Sequence, residues 1–237
     1  MMSDFLKNKK LVIFDMDGTI IDSLWVWNEV DSRVVATIRG DGREGEDNMM
    51  EIRDEALRTF SKSPNPYYDY CAYLRDKYQS KYTQDEIYNI RYKIANDYVE
   101  TRIDYKPFAD TMIKKLKSEG YILAIGSTAQ RRNIDIYRFK NKNIISKAKM
   151  DDYFDVIYAR DDCKEIKPHP EVFLKILEKF NVKAEDAIVF EDALVGVEAA
   201  KRAGIEVCVV YDKHSDHERE KINALADYRI QSFEELL

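Results

Sequence analysis

Cysteine is scarce in this chain. The three that occur, Cys71, Cys163 and Cys208, stand far apart and form no CxxC pair. That spacing argues against a disulfide framework or a cysteine zinc site, and predicts reduced thiols in a cytoplasmic setting. Long apolar runs are missing as well. No stretch is long enough to span a bilayer, and the opening MMSDFLKNKK has no apolar signal core. An excess of positive charge is also absent. With 38 Lys and Arg against 44 Asp and Glu, the formal net charge is −6, which argues against nucleic acid as the main partner. Internal repeats and low-complexity tracts are lacking. What is there suits a folded protein: 45% hydrophobic and 35% charged residues allow a substantial core. The 237 residues fit one large or two modest domains, and nothing demands more than a monomer.

Charge and aromatics are unevenly spread. Residues 22–104 hold 9 of the 16 tyrosines, and their 17 Asp and Glu against 12 Lys and Arg give −5 of the total −6. Helical signals dominate this block. Asp22 or Ser23 is expected to N-cap a helix through Trp25, Trp27 and Val30 to about Ile38. Gly40, Gly42 and Gly45 predict a loop, and a second helix is expected over 49–60. Ser63-Pro64-Asn65-Pro66 breaks the chain before a third, over 67–78. Thr83-Gln84-Asp85-Glu86 is a capping box opening a helix to about Thr101. The tyrosines of 67–98, with Trp25 and Trp27, read as packing within this block.

The flanks alternate strand and helix. Strands are expected at 11–14, 121–125, 154–158, 187–190 and 205–210. Helices are expected at 108–119 with Gly120 as its stop, from Pro170 to about Phe180, and at 195–203 before Gly204. Ser232 caps a short final helix. Such alternation predicts right-handed crossovers and a doubly wound, mostly parallel, Rossmann-like α/β sheet. Residues 1–21 and 105–237 are thus read as the core domain. Residues 22–104 form an all-α cap domain inserted after the first strand, placed as a natural lid.

Chemistry concentrates where these strands end. Asp15 and Asp17 follow Leu11–Phe14. Ser127-Thr128 follows the second strand, Lys167-Pro168 the loop after the third, and Glu191-Asp192 the fourth. In open α/β sheets, ligands bind beyond the carboxyl ends of the strands. A cluster of Asp15, Asp17, Glu191 and Asp192 repels itself unless a cation compensates, and Mg2+ fits an all-oxygen site. Lys167 adds a second positive charge. The combination suits a phosphoryl group: one carboxylate can act as nucleophile, another as proton donor and then acceptor. Ser127 and the Thr128 amide can bond the equatorial oxygens. The blander readings are a surface turn for Asp15–Gly18, a helix N-cap for Ser127-Thr128 and a surface pair for Glu191-Asp192. Asp161-Asp162 reads as a loop pair supporting the Lys167 turn. The basic run from Arg131 to Lys149 reads as a solvated face, and His214 and His217 as surface residues.

DMDGT at 15–19, GST at 126–128, IKPHPEVF at 166–173 and FEDALVGVEAAKRAG at 190–204 resemble the four motifs of the haloacid dehalogenase superfamily. More narrowly they resemble its β-phosphoglucomutase-like phosphatases, which carry a helical cap after the first strand. The resemblance covers about 1–24 and 105–237 and fades through the cap. It implies that Asp15 is the nucleophile and a Mg2+ ligand. It implies that Asp17 is the general acid/base and binds Mg2+ through its backbone carbonyl. Ser127 and the Thr128 amide would hold the phosphoryl group, Lys167 would bridge it to Asp15, and Asp192 would ligate Mg2+, with Glu191 binding directly or through water. Departures are Ala193 in place of a common Ser, Glu165-Ile166 before Lys167 in place of a common Gly, and an apparent insertion over 140–149. Mutase members carry a His five residues after the Asp matching Asp22; here that residue is Trp27, which counts against an isomerase. Dehalogenating relatives lack a carboxylate matching Asp17. The expectation is a Mg2+-dependent phosphatase of a small phosphorylated metabolite, with a phosphoglucomutase-type isomerase or a non-catalytic phospho-ligand-binding protein as rivals.

Overall fold

The computed structural model describes residues 4–40, 49–60 and 63–237. The chain clusters into two compact units. One comprises the segment ending at Leu24 and the segment beginning at Ile103; the other is Trp25–Arg102.

The first unit opens with β1 (Leu11–Phe14), and the second follows it in sequence with four helices: α1 (Val26–Arg39), α2 (Met49–Thr59), α3 (Pro66–Lys77) and α4 (Gln84–Thr101). Pro66 occupies the first turn of α3, where its missing N–H costs nothing, and Asn65 accepts from the Tyr68 amide. The Thr83–Glu86 capping box forms on α4. Helix α1 starts later than expected and has no side-chain cap; the Ser23 hydroxyl bonds to Asp17 instead. Gly40 closes α1 with a φ of +74°, whereas Gly42 and Gly45 lie outside the described residues. Inside this unit Asp31 is fully buried and accepts from Arg91 Nε at 2.7 Å and Arg53 Nη1 at 3.0 Å. The Arg91 guanidinium lies over Trp27, 4.9 Å from the ring centre, and over Tyr67. Burying a charge is tolerable only with such partners. Tyr68 and Tyr88 meet edge to face, so these aromatics do pack within the unit.

In the first unit, α5 (Ala109–Ser118), β2 (Ile122–Gly126), α6 (Arg131–Phe139), α7 (Lys142–Ala148), α8 (Met150–Tyr153), β3 (Val156–Tyr158), α9 (Glu171–Phe180), β4 (Ala187–Glu191), α10 (Leu194–Arg202), β5 (Glu206–Val210), α11 (Arg219–Leu225) and β6 (Tyr228–Ile230) follow in order. Among the described residues six strands form one sheet in the order β3-β2-β1-β4-β5-β6, all parallel. The sequence does not predict strand β6, since three residues at a sheet edge carry too little apolar pattern. Both faces of the sheet are covered, so its strands are near-continuous apolar runs. Leu11 and Ile13 join Phe173, Ile176 and Val197 on one face. Phe14 stacks on Phe190 at 5.1 Å on the other, with Phe154 and Phe233 beside them. The segment 140–149 is built into this unit through α7: Asn141 is fully buried and caps the helix, and Tyr105 donates to the Ala148 carbonyl.

Candidate active site

The chain runs outward from β1 in both directions, through β2 to β3 and through β4 to β6. Its crevice therefore opens between β1 and β4, where the strand order reverses. Phe14 is level with Phe190 and Ile125, so Asp15 leaves the sheet beside Glu191 and Gly126. Its amide donates to the Phe190 carbonyl at 2.9 Å.

Lys167 lies between two carboxylates, its Nζ 2.6 Å from Asp15 Oδ1 and 2.7 Å from Glu191 Oε1. It is almost wholly buried. Burial alone would strip its charge, but Asp15 and Glu191 raise its pKa well above the ordinary value. Its loop, with a cis Lys167–Pro168 bond, is pinned from two sides. The Glu171 carboxylate accepts from the amides of Lys164 and Glu165, and Arg202 donates to the Pro168 carbonyl. The carboxylates of Asp161 and Asp162 bond on the other side of their turn, Asp161 accepting from the Arg131 amide and Asp162 pairing with the Arg131 guanidinium and accepting from the Ala159 amide.

Asp15, Glu191 and Asp192 bring one carboxylate oxygen each within 4.8 Å of one another, all three side chains buried. Burial, with Glu191 adding and Lys167 opposing, pushes Asp15 up to about 7. Burial, then Glu191 and Asp15, raises Asp192 well above the carboxylate range, while Thr19 opposes. Thr19 Oγ1 donates to Asp192 Oδ1 at 2.7 Å, and Ser215 Oγ approaches Oδ2 at 3.4 Å. This is a negative site short of positive charge, made of hard oxygen donors, and it fits a small divalent cation.

The carboxylate of Asp17 is not one of the three. Its Oδ1 accepts from Ser23 Oγ at 2.6 Å and from the Tyr137 hydroxyl at 3.1 Å. Burial raises its pKa; those two bonds and Lys167 oppose the rise. Ser127 is buried directly beyond β2, and its Oγ accepts from the Ala129 amide; Thr128 beside it is exposed. Neither caps α6, whose N-cap is Gln130. In the basic run after it, Arg138 pairs with Asp135 and Asp151, and Lys147 with Asp104.

The sequence profile of the haloacid dehalogenase-like hydrolases matches residues 12–210, a span that includes every residue of this site predicted from the motifs. The chain belongs to that family. Among relatives of this hydrolase, a phosphorylated carbohydrates phosphatase of Thermotoga maritima is 28% identical over 196 residues, covering 82% of each chain. A phosphoglycolate phosphatase of Aquifex aeolicus is 28% identical over 204 residues, 84% of each. A Thermotoga maritima crystal structure provisionally assigned as a β-phosphoglucomutase superposes with a TM-score of 0.74 at 27% identity, covering 93% of this chain and 94% of that one.

Thr19, Ser23, Tyr137 and Ser215 bond to the carboxylates of the candidate site, and no motif of the sequence marks Ser23, Tyr137 or Ser215. Ile134 and Tyr137 are the inward-facing pair of α6, a three-residue spacing that marks a buried face without naming what it meets. Gly196 has a steric reason. Glu191 Oε2 accepts from the amides of Asp192 and Ala193 at 2.9 Å, which lays its carboxylate against the first turn of α10. A Cβ on Gly196 would fall 1.5 Å from Glu191 Oε1. Gly196→Ala must therefore displace Glu191 and loosen Lys167. Turnover is expected to fall about 10²-fold, the scale of an ångström-sized misplacement, with the fold retained by circular dichroism. Wild-type turnover would show that Glu191 does not position Lys167.

Proposed function

We propose that this hydrolase is a Mg2+-dependent phosphatase of small phosphorylated metabolites that works through an aspartyl-phosphate on Asp15. The observation that carries the reading is the Asp15–Lys167 contact at 2.6 Å, made beside a compact group of carboxylates. Asp15 and Asp192 would hold Mg2+ with their side chains and Asp17 with its backbone carbonyl. Both Glu191 oxygens are engaged, one by Lys167 and one by two amides, which favours its binding through water. When bound, Mg2+ would neutralise both the crowded carboxylates and the phosphoryl oxygens.

The chain's own groups then divide the work. Lys167 bridges Asp15 to a phosphoryl oxygen, and the Ser127 hydroxyl and Thr128 amide bond the others. An Asp15 oxygen attacks phosphorus, and the bond to the substrate oxygen breaks as Asp17 gives that oxygen its proton. Asp17, now ionised, takes a proton from water, which attacks the phosphorus of the aspartyl-phosphate. Inorganic phosphate leaves and Asp15 is restored. The phosphorylated carbohydrates phosphatase and the phosphoglycolate phosphatase to which the chain is similar support a small phosphorylated substrate. The helical unit is inserted directly after the Asp15 strand, which supports assigning specificity to it. Trp27 stacked on Arg91 gives no proton-transfer group where the mutases carry His, and so favours the phosphatase over the isomerase.

An aryl phosphate should be hydrolysed in the presence of Mg2+. Chelation should slow release of the phenol at least about 10²-fold, and excess Mg2+ should restore it, since a lost Lewis acid is worth several kcal/mol. Undiminished activity in chelator would remove the metal from the mechanism. No turnover of any phosphate ester would remove the phosphatase reading.

A further inference from the structure

The chain returns from the helical unit along residues 103–106, antiparallel to the segment by which it left. The Asp22 amide donates to the Asp104 carbonyl, the Lys106 amide donates to the Ile20 carbonyl, and Ile21 bridges Tyr105. Lys106 is thereby fixed beside the loop that carries Asp17. Its side chain is 12% exposed and all three ammonium protons are used. Nζ donates to the Gly18 carbonyl at 2.7 Å, to Asp212 Oδ2 at 2.8 Å and to the Tyr211 carbonyl at 3.0 Å. Neither Lys106 nor Asp212 lies in any motif of the sequence.

We propose that Lys106 is a positioning residue for metal binding, tying the Asp17–Thr19 loop to the turn after β5 so that Asp192 is held from both sides. The proposal rests on the metal-dependent reading above. The first side runs through Gly18. Its backbone, at a φ of +87°, lies so close to Asp192 that a Cβ would sit 2.5 Å from Oδ2. Where Lys106 holds the Gly18 carbonyl limits where that carboxylate can lie, and Thr19, the next residue, donates to its other oxygen. The second side runs through Asp212. Its Oδ1 accepts from the His214 amide at 2.9 Å, and its carbonyl accepts from Arg219 Nη2 at 2.6 Å. These bonds shape the turn 213–218 and hold Ser215 against Asp192 Oδ2.

The sign of the effect separates this role from a field effect. The Lys106 charge reaches Asp192, and a nearby cation repels a second one. If charge were all that Lys106 supplied, its loss would tighten Mg2+ binding. If it positions Asp192, its loss weakens binding, because partners that orient metal ligands carry about 10- to 100-fold in affinity.

The test is calorimetric titration of Mg2+ into the wild-type chain and into Lys106→Met, Lys106→Arg and Asp212→Asn, with folding checked by circular dichroism. Lys106→Met is expected to raise the Mg2+ Kd about tenfold, with a parallel rise in the Mg2+ concentration needed for half-maximal aryl phosphate turnover. Lys106→Arg should recover much of the loss. Asp212→Asn keeps the lysine and two of its three bonds, and should weaken binding in the same direction by less. Mg2+ binding as tight as or tighter than wild type in Lys106→Met overturns the proposal. Should that variant fail to fold, the same result in Asp212→Asn overturns it. A wild-type chain that binds no Mg2+ overturns the metal reading itself, and the role of Lys106 with it.

Discussion

Asp15→Asn is expected to lower turnover of any phosphate ester by on the order of 10⁴-fold or more, the scale at which loss of a nucleophile is felt. The amide is nearly isosteric and its oxygen can still accept from Lys167, so the pocket keeps its shape. What it lacks is a carboxylate oxygen able to attack phosphorus and leave again. Stability should not suffer. Burial and the neighbouring Glu191 make the ionised Asp15 costly, which is why its pKa lies up at about 7. A neutral side chain relieves that repulsion, while Glu191 still pairs with Lys167. The variant should therefore melt near or above the wild-type temperature while releasing no inorganic phosphate. Turnover within tenfold of wild type would contradict the nucleophile assignment. Circular dichroism separates a lost nucleophile from a lost fold, since only the second would cost the helical signal along with the activity.

The strand ends were legible in the sequence for a physical reason. A strand covered on both faces must be apolar throughout, so the first acidic residue after LVIF or AIVF marks where it reaches water or a ligand. Asp15 and Glu191 are legible that way, and the register sets them side by side at the reversal of strand order. Lys167 is legible through its proline-flanked loop, whose Lys164 and Glu165 amides bond to Glu171. What stayed hidden is whatever depends on side-chain direction between distant segments. Ser23 reads as a helix cap in sequence, because a serine before an apolar periodic run usually is one. Its hydroxyl turns instead to Asp17, six residues back. Tyr137 shows only an inward-facing helical position, and Lys106 resembles any lysine in a connection. Strand β6 is too short to carry a pattern. The segment 140–149 stands out in the sequence as a departure from the family pattern, and its buried residues Asn141, Ile144 and Ala148 are spaced at helical intervals.

The environment of Asp17 separates proton transfer from nucleophilic attack, and Asp17→Asn tests the separation. Ser23 and Tyr137 both donate to Oδ1, which leaves Oδ2 to carry the proton. Burial raises the pKa of the group, the direction a general acid needs. Asn in its place keeps an oxygen for the two donors but cannot release a proton to a departing alkoxide. For an alkyl phosphate, whose leaving group is strongly basic, kcat is expected to fall about 10³-fold, within the range that positioned acid–base groups contribute. An aryl phosphate with an acidic phenol leaves without help, so formation of the aspartyl-phosphate should be slowed far less. Its hydrolysis still needs a base to activate water. A rapid burst of phenol followed by slow turnover is therefore the expected signature, read by stopped-flow absorbance. Equal losses in the burst and the steady state, for both substrates, would mean that Asp17 only shapes the pocket, and the proton would have to come from elsewhere.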